Sequence, residues 1–371
     1  MKYTFWVVIS CIFSFQALQA QTNLNPIEVY VPFLDREVKA QSIGMEGIGV
    51  VASGINYETA FNQNPALLAR GNFKFDIHAT SVPVPTGLEG INSPFISIAG
   101  FYAIDEKQSI GISEKFFSLN DNSNTFDNYF GISYAYAPIP DFSIGATAKY
   151  IISRALPIDI GQTEHSYAID FGFDYRKVVE LDDDQFFRWN IATAITNLGP
   201  KLQYLANTAA LNIPTNWRFG TMFSYKFVID DYNSMNINVA YQGEKLLVPT
   251  PNEIDSDNNG LFDYLEQSVI SGVFNSFSDA LRDGEEAEEF LHRVGAEARL
   301  DLDNIEGFVA LRAGLIRQHE NKGNQRLFTF GGSFNIRGFY VEIASQTFQE
   351  SVGIANPPLS FGVGYQYRLE N

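Results

Sequence analysis

The stretch DSDNNGLFDYLE at 255–266 fits the calcium-loop pattern D-x-[DN]-x-[DN]-G-x5-E at every position. A Ca²⁺ ion needs about 6–8 oxygen ligands, and a 12-residue loop supplies them when carboxylates and carbonyls fall on alternate positions. Asp255, Asp257 and Asn259 occupy positions 1, 3 and 5, and Gly260 permits the sharp turn. The Leu261 carbonyl serves at position 7, Asp263 at position 9 through water, and Glu266 closes the site with two oxygens at position 12. The pattern predicts Ca²⁺ bound with a Kd on the order of 10⁻⁴ to 10⁻³ M, a staple rather than a sensor. The competing reading is a solvated acidic turn.

The residues that follow, YLEQSVISGVFNSFSDALRDGEEAEEFLHR, carry a second feature. Val269, Ile270, Val273, Phe274 and Phe277 form an apolar stripe at helical spacing, although Gly272 weakens a helix there. Such a stripe either packs on what lies beneath it or binds a partner protein. The acidic run Glu285, Glu286, Glu288 and Glu289 reads as a solvated face. No catalytic set emerges: His78, His165, His292 and His319 lie in separate segments, and there is no G-x-S-x-G elbow. Gly44, Gly47 and Gly49 have the wrong spacing for a phosphate loop. A non-enzymatic protein is expected.

What positions these loops is legible in the hydropathy. Residues 1–20 read as a secretory signal peptide, with Lys2 followed by an apolar run and small Ala20 before Gln21. The single cysteine, Cys11, lies inside it, so disulfides and thiolate chemistry are excluded from the rest. Aromatics make up 14% and charged residues only 18% of the chain, yet no later apolar run nears the roughly 20 residues of a membrane helix. A formal net charge of −18 argues against nucleic acid as a partner.

Period-two alternation explains the composition. Over 141–153, Phe142, Ile144, Ala146, Ala148, Tyr150 and Ile152 share a lipid-type face, while Ser143, Gly145, Thr147 and Lys149 share a watery one. Fourteen segments read this way: 72–84, 94–104, 107–119, 127–137, 141–153, 165–176, 186–197, 215–229, 234–243, 292–303, 306–317, 325–335, 337–347 and 358–369. Short links, as at 105–106, 138–140, 230–233 and 304–305, alternate with longer ones such as 154–164, 198–214 and 244–291. Short periplasmic turns and long external loops sort by parity in this way, whereas a soluble β-sandwich has no reason to do so. The expectation is all-β: a 14-stranded transmembrane antiparallel β-barrel over 72–371, in the outer membrane of a Gram-negative bacterium. It would have a wet lumen, with 244–291 as the long external loop. Asp170, Asp174, Arg176, Arg218 and Arg312 should face the lumen.

Between leader and barrel lies a glycine-rich segment, and its pattern G-M-x-G-x-G-V followed by N-P-A-x-L-A resembles the N-terminal plug of FadL-type barrels. The resemblance implies that residues 21–71 occlude the lumen. Further on, NLGPKLQY (197–204), IPTNWRFG (213–220), KLLVPTP (245–251), GVFNSFSDA (272–280) and the segment 293–317 resemble, in this order, the PorV/PorQ family of the Bacteroidota type IX secretion system. That resemblance implies three protein partners: the giant translocon barrel, the C-terminal signal domains of cargo, and the surface attachment machinery, all in contact with outer-membrane lipid and lipopolysaccharide. Where the family has a short acidic turn, this chain has a complete calcium-loop match. A FadL-like channel for hydrophobic small molecules is the alternative with the same architecture.

Overall fold

Alternating side chains leave each strand with one face for lipid and one for the interior, and closing the sheet removes every unpaired edge. The computed structural model describes residues 27–371 except 52–57, 72, 84–93, 119–124, 155–161, 183–184, 206–208, 280–284, 323, 348–358 and 369–371. The leader expected at 1–20 lies outside the described residues. Fourteen strands follow in chain order: β1 (Phe75–Val82), β2 (Phe95–Ala103), β3 (Gln108–Ser118), β4 (Phe126–Ile139), β5 (Phe142–Arg154), β6 (Glu164–Asp182) and β7 (Gln185–Leu198). The second half comprises β8 (Asn216–Asp230), β9 (Asn233–Leu246), β10 (Leu291–Leu302), β11 (Gly307–Arg317), β12 (Arg326–Ile336), β13 (Phe339–Thr347) and β14 (Leu359–Tyr367). Each pairs antiparallel with its sequence neighbours, and β1 closes the barrel on β14 from Phe75↔Tyr367 to Ser81↔Phe361.

The strand faces fall as the alternation predicts. Ile144 and Tyr150 are exposed on the outside while Ser143, Thr147 and Lys149 are buried inside, and the outer wall carries exposed Ile112, Ile132 and Leu311. Ile144→Arg should therefore cost roughly 2–4 kcal/mol near the bilayer midplane, read as a lower unfolding midpoint in lipid vesicles. An unchanged midpoint would remove Ile144 from the lipid face. The largest boundary difference is in the sixth strand, expected over 165–176: it runs on to Asp182, and this extension is exposed, mixing Lys177, Glu180 and Asp182 with Val178, Val179 and Leu181. The end bearing the short turns and both barrel termini is periplasmic, and the end bearing the long loops is external.

The interior is not the wet lumen the polar faces suggest. Residues 31–51 and 60–70 lie within the barrel and are almost all buried. Tyr30, near the external end, donates its backbone N–H to the Asn212 carbonyl at 2.9 Å. From there the chain passes through helix α1 (Ala40–Gly44), which packs against β12 and β13, to a 3-10 helix at Pro65–Arg70 beside β4, β5 and β6. Polar partners hold it along its length. The backbone N–H groups of Gly49 and Val50 both donate to Gln242 Oε1 at 3.0 Å, and Glu46 N–H donates to Thr329 Oγ1 at 3.0 Å. Asn64 caps the 3-10 helix through the Ala66 N–H and donates to the Phe173 carbonyl. Arg70 pairs with Asp174 at 2.7 Å. Glycine makes the approach possible: a Cβ at Gly145 would stand 2.4 Å from the Pro65 carbonyl carbon.

Candidate functional site

The longest connection, between β9 and β10, rises on the external side and is fixed to the barrel at its base. Lys245, fully buried at the end of β9, contacts Glu286 at 2.9 Å and also Glu289. Glu289 further accepts from Lys322 at 3.1 Å and from the Thr250 hydroxyl at 2.6 Å, and Glu288 meets His319 at 3.2 Å. Although burial works to raise the Glu289 carboxyl, the hydrogen bonds from Lys245 and Thr250 hold it below the usual carboxylate range. Asp279 accepts from the Thr250 N–H at 2.7 Å and closes the base of the loop. The acidic run is thus corrected from a solvated face to a clasp. The cationic partners of Glu289 lie 44 and 33 residues away in sequence, where charge patterning cannot detect them.

The apolar stripe divides into two parts. Helix α2 (Asp263–Glu266) is followed by α3 (Val269–Asn275), capped by Ser268 accepting from the Ser271 N–H at 3.2 Å. The glycine that weakened the sequence case is needed here, because a Cβ at Gly272 would stand 3.0 Å from the Pro249 ring. Phe277, past the helix end, lies edge-on to Trp217 of β8 at 5.6 Å while staying partly exposed, and Trp217 in turn meets Phe219 and, from the end of the loop, Phe290. Val269 and Val273 are half-buried, while Ile270 and Phe274 remain 59% and 71% exposed. Part of the stripe is rim packing, and the rest faces outward from an anchored support.

In the calcium-type loop, Gly260 adopts φ 88° as the turn requires. Asp255 accepts from the N–H groups of Asn259 at 3.2 Å and Gly260 at 3.0 Å. The Asn259 amide joins Asp257 at 3.0 Å to Glu266 at 2.7 Å, so a neutral donor sits where two carboxylates converge. Asp263 is instead turned to Ser256, whose hydroxyl and N–H hold its carboxyl below the usual range. Four of the six predicted ligand residues are therefore brought together by side-chain bonds. Among the described residues, the group of three acids with oxygens within 4.8 Å of one another is Asp279, Glu286 and Glu289 rather than the loop's own carboxylates. The Leu261 side chain is exposed.

The lumen charges mostly find partners. Asp170 pairs with Lys149 at 2.7 Å, Asp174 with Arg70, and Arg312 with Glu297 at 2.6 Å. Arg218 bonds Asp35 of the N-terminal segment and Glu244 at 3.3 Å. Among the described residues, Arg176 Nε and Nη2 have no hydrogen-bond partner. Two vestibules remain at the ends, about 700 Å³ externally around Asp35, Arg36, Glu244 and Arg293, and about 660 Å³ on the periplasmic side. The four histidines stay apart: His78 beside Asp76, His165 beside Tyr150, His292 beside Tyr241 and His319 beside Glu288.

Comparison with solved structures finds barrels of similar span and remote sequence. The CymD monoaromatic hydrocarbon channel is 9% identical with a TM-score of 0.46, covering 90% of this chain and 98% of that one. The toluene transporter TbuX of Ralstonia pickettii is 10% identical, TM-score 0.42, covering 91% and 99%. A FadL homologue of Pseudomonas aeruginosa is 10% identical, TM-score 0.38, covering 90% and 98%. No curated protein matches the chain in sequence. The family model described as "Type IX secretion system protein PorV" matches residues 19–253, more than half of the 371. That span takes in the N-terminal segment within the barrel, β1 to β9 and the start of the anchored external loop. A closed 14-stranded barrel with this match belongs to the PorV family and is an outer-membrane component of the type IX secretion system.

Proposed function

We propose that this chain receives the C-terminal signal domain of exported cargo at the giant translocon barrel and passes the cargo to the surface attachment machinery, without catalysing a reaction itself. The observation that carries this reading is the exposed pair Ile270 and Phe274, presented externally on a loop clasped to the barrel through Lys245. Exposed apolar side chains on a rigid support lose little entropy on binding and make good interface anchors. Replacing both Ile270 and Phe274 by Ser should leave a heat-modifiable, inserted barrel and weaken association with cargo or translocon by roughly tenfold or more. Normal cargo secretion by that variant would contradict the reading. A channel for hydrophobic small molecules is the second possibility, and the packed N-terminal segment counts against it.

Calcium belongs to the same proposal. The turn at Gly260 and the convergence of Asp255, Asp257, Asn259 and Glu266 support a Ca²⁺ staple that orders the approach to α3. A divalent ion would relieve repulsion among four carboxylates within 12 residues. EDTA should then bring new proteolytic cleavage within about residues 251–291 and leave the barrel intact, and Glu266→Gln should reproduce it in millimolar calcium. Identical cleavage in every condition would reduce the loop to an acidic turn.

A further inference from the structure

The periplasmic vestibule differs in charge from the rest of this acidic chain. Five basic side chains line it against three acidic ones: Asp301 near the end of β10, and Asp303 and Glu306 in the turn to β11. Three of the basic residues, Arg188, Lys226 and Arg299, lie on strands β7, β8 and β10, whereas Arg337 and Arg368 lie at a turn and past the end of β14. In strand register, Phe186 of β7 faces Lys226 of β8, Lys226 faces Asn236 of β9, and Asn236 faces Arg299 of β10. One row across four adjacent strands thus carries a lysine, an amide and an arginine into a single cavity.

Arg299 is held for recognition. Its guanidinium lies over the Phe308 ring at 3.9 Å, and Asp301 occupies Nη2. The residue is 8% exposed, and its Nε makes no hydrogen bond to any described residue. A guanidinium stacked on an aromatic face can still donate in its plane, and with Nη2 taken by Asp301 the Nε–H is the donor left for an oxygen of a carboxylate or phosphate. Lys226 makes no ion pair with any described residue and is half-buried in the same cavity. Asp301 meets part of the Arg299 charge while Lys226 has no such partner among the described residues, so an oxyanion bridging the two would satisfy Lys226 and the Arg299 Nε together.

We infer that this vestibule is an oxyanion site, taking a soluble phosphate- or carboxylate-bearing ligand from the periplasm between Lys226 and Arg299. Full-length protein in neutral detergent and EDTA, titrated with inorganic phosphate at constant ionic strength by calorimetry, should bind it saturably at one site. Lys226→Gln should weaken binding roughly tenfold, and Lys226→Arg should retain it. Arg299→Gln should abolish it, with the half-buried Lys226 giving an independent test if that variant misfolds. Repeating the titration in phosphatidylcholine and phosphatidylglycerol nanodiscs separates the sources: unchanged binding in both supports a soluble ligand, and competition in the anionic discs supports the site while assigning the anion to a lipid headgroup. Absence of saturable binding, or equal binding by wild type and Lys226→Gln, overturns the inference.

Discussion

Lys245→Met should release the external loop from the barrel without unfolding the barrel itself. The substitution keeps the stem and removes the ammonium, leaving Glu286 without this partner and Glu289, among the described residues, with Lys322 and Thr250. Removing one member of a buried ion pair costs about 3–5 kcal/mol, and the low end applies because Lys322 remains. Three kcal/mol corresponds to roughly a hundredfold rise in the open population. Hydrogen exchange over residues 247–290 should accelerate by about that factor while β1 to β14 keep their protection. Acid should act similarly in wild type: a depressed Glu289 carboxyl contributes stability that is full above the unfolded carboxylate range and is lost as pH falls from that range through the lower folded value. Exchange in Lys245→Met identical to wild type would show that the loop is held by something else.

Gly145→Val should dislodge the N-terminal segment from the barrel. A Cβ at position 145 would stand 2.4 Å from the Pro65 carbonyl carbon and 2.5 Å from the Ala66 nitrogen, both backbone atoms with no rotamer to yield. Displacement would also strain the Ser143 bond to the Ala66 carbonyl at 3.0 Å and the Arg70–Asp174 pair. Wild type should show little conductance in planar bilayers because side chains and backbone fill the middle of the lumen. The variant should show frequent openings, with a loss of about 1–3 kcal/mol from overpacking. Silent bilayers for both proteins, with unchanged stability, would mean that the barrel accommodates the valine without moving the segment.

The barrel was legible because lipid and backbone chemistry leave so little choice. A side chain such as Ile144 or Tyr150 on the outer wall must be apolar, and the period of two then reports the strand directly. The inner face was less legible. Ser, Thr, Gly and Asn suit water and also suit a polar peptide segment packed against them, and Gln242 and Thr329 turn out to bond backbone N–H groups of that segment. The exposed apolar pair on α3 was visible as a helical stripe. The sharing of that stripe with the wall was not, because the Phe277–Trp217 contact joins residues 60 apart. The clasp escaped for the same reason: Glu289 belongs to an acidic run, while Lys245 and Lys322 lie in other segments. Two of the runs that carry the family resemblance meet in space, since the Thr250 N–H of KLLVPTP donates to Asp279 of GVFNSFSDA.

The central claim is that this barrel works by binding other proteins of the secretion system. Affinity purification of the full-length chain from native outer membranes in mild detergent, with quantitative mass spectrometry of everything retained, tests it most directly. Near-stoichiometric recovery of a very large barrel is expected, together with exported proteins bearing a C-terminal signal domain, as is loss of these partners from the Ile270→Ser, Phe274→Ser variant. Recovery of the chain alone, with a lipid-like small molecule in its lumen, would contradict it.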